Sequence, residues 1–91
     1  MRVKILSKYW KFMRVKGLKE GGGACGQIDH PDKKCKTLKV DDGLIDCQEL
    51  EIIIHEFLHG ADWSKDEEWI VETSEDLSRF LWRLGYRKCE S

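Results

Sequence analysis

Two histidines four residues apart, behind an unbroken apolar run, constrain this chain more than any other stretch: Ile52-Ile53-Ile54-His55-Glu56-Phe57-Leu58-His59. An α-helix sets side chains at i and i+4 on one face. Leu50, Ile53, Ile54, Phe57, Leu58 and Ala61 follow the spacing of a buried helical stripe. His55 and His59 fall roughly opposite that stripe, so one helix can anchor in a core and still present both rings to a cleft. Two imidazoles placed this way can share one zinc ion, and Glu56, one step along, can reach a water on that metal. The plainer alternative is a helix with two solvent-facing histidines. The apolar stripe beneath the pair favours the metal.

Ninety-one residues make one domain, 1–91, with a modest core, and small domains of this kind often carry a staple such as zinc. A hydrophobic content of 41% with four Trp suits a folded globule rather than a disordered tail. No apolar run is long enough to cross a bilayer, and residues 1–19 return to Lys and Arg too often for a secretory leader. The expected compartment is therefore the cytosol, with Cys25, Cys35, Cys47 and Cys89 as free thiols. Cys25, His30 and Cys35 lack the C-x-x-C knuckle of zinc ribbons and make a weak second metal candidate.

Charge is unevenly spread. Residues 1–19 hold seven Lys or Arg and no acid, whereas residues 41–76 hold thirteen acids against the single base Lys65. Two solvated faces explain this; the sharper reading is a basic strand pair that touches nucleic acid or an acidic partner. Tyr9, Trp10 and Phe12 interleave with those bases, as in single-strand binders, although strand-forming aromatics give the same pattern.

Along the chain, Arg2–Leu6 and Tyr9–Val15 read as strands, a hairpin around Ser7-Lys8 or one bent strand. Gly17 to Gly26 reads as a loop, Gln27–Pro31 as a short strand, and Lys36–Asp41 as a strand with Leu38 and Val40 inward. Asp41-Asp42-Gly43 turns the chain. Asp46 with Glu49 suggests a capping box for a helix from about Cys47 to Asp62, and Gly60 leaves space beside His59. Ser64 with Glu67 suggests another box. The second helix turns Trp69, Ile70, Ser74, Leu77, Leu81 and Leu84 inward and stops at Gly85. A link of two or three residues makes the helices antiparallel. The expected fold class is α+β: a small three- or four-stranded sheet followed by an antiparallel helix pair.

A catalytic zinc needs a third protein ligand and an open position. No histidine follows His59, so a carboxylate must serve. Glu72 with Asp76 gives a Glu-x-x-x-Asp pair, but at roughly 100° per residue both fall on the wet face, near Arg79 and Arg83. Glu67 falls at the edge of the stripe holding Ile70 and Ser74, and a tight hairpin brings it beside His59. Glu67 is the preferred ligand, with Glu72 and then Glu68 in reserve. The bland role for Glu67 is the capping box. Asp62 either orients an imidazole or only ends the helix.

His55-Glu56-Phe57-Leu58-His59-Gly60-Ala61-Asp62-Trp63, Asp66-Glu67-Glu68-Trp69-Ile70 and Leu81-Trp82-Arg83-Leu84-Gly85-Tyr86-Arg87 resemble short HExxH proteins of bacteriophages and some bacteria, usually identified as zinc metallopeptidases. The resemblance covers roughly residues 36–88, with a weaker echo in the basic N-terminal strands. It implies a minimal, gluzincin-like zincin fold, with His55, His59 and Glu67 as metal ligands and Glu56 as the base. Zinc would then lower the pKa of its water and polarise a peptide carbonyl, and Glu56 would move the proton. Strand Lys36–Asp41 could pair with an extended peptide or protein substrate. Tyr9, Tyr86 and His30 are the chemically suitable oxyanion donors. Two rival readings remain: a non-catalytic zinc-stabilised module for phage–host protein interaction, and a nucleic-acid-associated protease using the basic strands.

Overall fold

Residues 1–18 and 24–89 are described by the structure, a computed structural model. Strands β1 (Arg2–Ile5) and β2 (Lys8–Val15) form the expected hairpin. Its two-residue turn puts Leu6 and Ser7 at positive φ (48° and 69°), the backbone hand that matches strand twist. Strands β3 (Gly26–Ile28) and β4 (Thr37–Asp41) complete a mixed sheet in the order β1-β2-β4-β3. Pairing is parallel between β2 and β4 and antiparallel elsewhere. Helices α1 (Asp46–Ala61) and α2 (Glu67–Leu84) follow, so the chain is α+β. Gly17 is at positive φ, Gly26 opens β3 instead of closing a loop, and Gly21–Gly23 lie outside the described residues.

One sheet face carries the core. Ile5, Trp10, Leu38, Val40 and Leu44 are buried together, and Ile28, Ile52, Ile53 and Ala61 pack on them. Leu38 and Val40 thus point inward as their alternation predicts. Gly60 faces the sheet, not His59: a Cβ there would stand 2.8 Å from Ile28 Cδ1 and 2.9 Å from Ile5 Cδ1. The glycine lets α1 approach the strands closely. α2 packs chiefly on α1 as the outer layer, and residues 62–66 form the link, longer than expected. Its inner stripe is Ile70, Ser74 and Ser78, small groups that let the helices close up. Trp69, Leu77 and Leu84 stay exposed, contrary to expectation, because α2 has one neighbour and buries one narrow stripe. Phe57 is likewise 38% exposed. No described helix is long and apolar enough to cross a membrane, and the four cysteines are free thiols.

Neither capping box forms. The N-cap of α1 is Ile45, without a side-chain bond, and the cap of α2 is Asp66, whose carboxylate accepts from Glu68 N–H. Ser64 instead donates to Asp62 Oδ1. Gly85, at φ 98°, does end α2. Its N–H reaches Trp82 O and that of Tyr86 reaches Leu81 O, a Schellman closure.

Glu49 turns away from its own backbone to Arg14 on β2, at 3.3 Å, and to Lys88, at 3.5 Å. Burial opposes its ionisation, but the Arg14 guanidinium and Lys88 ammonium outweigh burial and hold the carboxyl below its usual value. A folded-state pKa below the unfolded one stabilises the fold above the ordinary value of 4.5, and the gain is lost as pH falls through the lowered value. Arg14→Ala is therefore expected to cost about 1–2 kcal/mol at neutral pH, discounted for the exposed guanidinium. Denaturant titrations should show the parent–variant gap shrinking below about pH 4.

Candidate metal centre

Helix α1 carries His55 and His59 one turn apart, and Glu67 is the first residue of α2, so the helix link delivers it to the pair. His55 Nε2 and His59 Nε2 lie 3.1 Å apart. Glu67 Oε1 is 3.1 Å from the former and Oε2 is 2.8 Å from the latter. The imidazoles cross at 62° with centroids 4.8 Å apart. Bonds of 2.0–2.1 Å in a tetrahedral site imply ligand atoms about 3.3 Å apart. The measured separations are slightly shorter and involve both oxygens of Glu67, and one ligand atom from each residue lies within 4.8 Å of the others.

Each Nε2 can donate to its own Glu67 oxygen, or the two ring nitrogens and the carboxylate can turn lone pairs toward one cation. Burial, more than Glu67 offsets, lowers the pKa of His55 and keeps its ring neutral and able to ligate. The chemistry of the donor set thus fits a divalent metal, and these residues form the cluster able to hold one among the described residues. Cys25, His30 and Cys35 form no such cluster there.

Glu56 sits on the sheet side of α1 and is only 8% exposed. Burial, and then the charge of Glu67, push its carboxyl up to about 7. The space it occupies exists because β3 begins with glycine. A Cβ on Gly26 would fall 2.9 Å from Glu56 Oε2 and 2.8 Å from Ile52 Cγ2. The role of Gly26 was not anticipated, although an isolated glycine in a strand is the recognised sign of close approach. Gly26→Ala is expected to displace Glu56 or shift β3, costing about 1–3 kcal/mol of stability, measured by chemical denaturation.

The reserve ligands stay out of the centre. Glu72 and Asp76 are exposed on the outer side of α2, and Glu68 is also exposed. Asp62 ends α1, its N–H bonded to Leu58 O, while its carboxylate accepts from Ser64. The residue that flanks the histidines is Trp63, whose ring centroid is 6.5 Å from His59 and 4.9 Å from His30. His30 Nδ1 accepts from Asp32 N–H, so the neutral ring carries its proton on Nε2. Of the three suggested oxyanion donors, His30 alone comes near this flank. Tyr9 stacks under Arg2, and Tyr86 follows the far end of α2, in a cavity with Arg14 and Leu44.

Strand β4 is internal, paired to β2 and β3, and so cannot receive a peptide edge-on as expected. β3 holds that place. Asp41 N–H bonds Cys25 O and Asp29 N–H bonds Thr37 O, so residues 25, 27 and 29 face β4. The main-chain groups of Gly26 and Ile28 consequently face the open edge, directly over α1. No family model matches this chain, and neither a curated protein nor a solved structure does.

Proposed function

We propose that this protein is a zinc-dependent metallopeptidase of minimal zincin type, with His55, His59 and Glu67 as zinc ligands and Glu56 as general base. The supporting observation is one arrangement: three converging ligand atoms, with a buried carboxyl beside them under a free strand edge. Zinc bound to two imidazoles and a carboxylate supplies Lewis acidity and an acidified water. Everything else falls to the chain. The outward main-chain groups of Gly26 and Ile28 can pair with an extended peptide and align it with α1. Gly26 lies against Glu56, so a peptide paired there has its backbone close to the base. Burial raises the Glu56 carboxyl above its ordinary value, which suits it to hold a proton taken from water and return it to the leaving amine.

Zinc-loaded protein incubated with a mixed peptide library, with products mapped by mass spectrometry, tests this reading. Cleavage should stop with a chelator and return with added zinc. A zinc-loaded protein that leaves every library peptide intact would overturn it. A purely structural zinc has no use for a buried carboxyl beside it, which makes the non-catalytic module the weaker reading.

A further inference from the structure

The sheet has a second face, and neither α1 nor α2 packs on it. Strand alternation assigns it Arg2, Lys4, Tyr9, Lys11, Met13, Val15, Gln27, Thr37, Lys39 and Asp41, because Val3, Ile5, Trp10, Phe12, Ile28, Leu38 and Val40 point to the core. Four of those side chains are cations drawn from three strands. Arg2 stands directly opposite Lys11 across the hairpin. Like charges so placed are destabilising. The nearest acids are at the margins: Asp29 accepts from Thr37 and pairs with Lys33, and Asp41 sits buried at the turn into Gly43. Acidic residues concentrate instead on the helices: Glu51, Glu67, Glu68, Glu72, Glu75 and Asp76. Among the described residues, a chain of net charge -1 thus gathers four cations on one sheet face, with Asp41 buried at its end.

We propose that this open face binds the sugar–phosphate backbone of single-stranded nucleic acid. Alternate residues on a strand lie about 6.7 Å apart and neighbouring strands about 4.8 Å, so the four cations form a shallow grid rather than a point site. Tyr9 is 46% exposed and lies in that grid, opposite Lys4, with the Arg2 guanidinium 4.7 Å above its ring. An aromatic ring with a stacked guanidinium is a platform for an unpaired base. An acidic protein partner fits less well. Stable protein interfaces need buried aromatic or apolar anchors at their centre, and here Trp10 and Phe12 point the other way. The surface is separate from the metal centre and does not depend on peptide cleavage.

Fluorescence anisotropy with a labelled mixed-sequence single-stranded DNA is the test, read as a function of salt. Engagement of all four cations gives a slope of log K against log salt approaching about -3, at about -0.7 per phosphate contact. Lys4→Gln combined with Lys11→Gln should flatten the slope by about 1.4 and weaken binding about 25-fold near 0.1 M salt. Removing Lys11 also relieves its repulsion with Arg2, so the double variant should melt no lower than the parent, which separates lost binding from lost folding. Glu56→Gln and the outer-helix variant Arg79→Gln should bind like the parent. The proposal fails if DNA is not bound at low salt, or if the double variant binds unchanged. It also fails if only duplex binds, if polyglutamate competes as well as DNA, or if the basic face instead drives salt-sensitive self-association with the acidic helices.

Discussion

Glutamine at position 56 should leave zinc in place and remove peptide hydrolysis by a factor of about 10²–10⁴, the usual range for loss of a positioned general base. The substitution keeps the size and most of the shape of the side chain, so the space beneath Gly26 stays filled. It also removes an ionisable group from a site where burial and the charge of Glu67 already disfavour ionisation. The fold should therefore be as stable as the parent, or slightly more so. The paired measurement is zinc content by metal analysis and initial rate on the best library peptide. An unchanged rate with zinc bound would dispose of the base role, and loss of zinc would mean that Glu56 acts on the metal site rather than on water.

Removing the metal should be felt by the whole molecule. The zinc proposed here joins α1 to the first residue of α2, and α2 has little hold on the rest of the fold beyond α1. A ligand that binds only the native state stabilises it by about 2.7 kcal/mol when free metal is 100-fold above its dissociation constant. For a domain of this size that corresponds to a fall of about 10–20 °C in Tm on chelation. His55→Ala and His59→Ala should each abolish the one-to-one zinc content and the chelator-sensitive part of Tm. Glu67→Ala should weaken zinc binding, because its carboxylate touches both rings at 3.1 and 2.8 Å. A Tm that ignores both zinc and chelator, in a protein returning no zinc by metal analysis, would end the metal reading.

Much of this architecture could be read along the chain. Hydrophobic period and turn chemistry located both helices, the β1–β2 hairpin, β4 and the glycine stop at Gly85. The helix period also ranked Glu67 above Glu72, since one lies at the edge of the buried stripe and the other a third of a turn or more outside it. Local rules failed where a side chain had a better partner far away in sequence. Glu49 left its capping position for Arg14, thirty-five residues earlier, and a charged partner outweighed an intrahelical bond. Trp69, Leu77 and Leu84 match an inward stripe by periodicity but remain in solvent, because periodicity does not report how many neighbours a helix has.

Residue type and spacing along 52–67 determined which atoms could meet at the centre: two imidazoles a turn apart, a carboxylate after a short link and a second carboxylate between. Their order in sequence sets those relations through the helical repeat, which is a local property of the backbone. Tertiary structure alone decided that β3 rather than β4 lies at a sheet edge, that Gly26 makes room for Glu56, and that cations of three strands share one face. Strand order and facing arise from pairing between segments distant in sequence, and no local pattern encodes which strand is left without a neighbour.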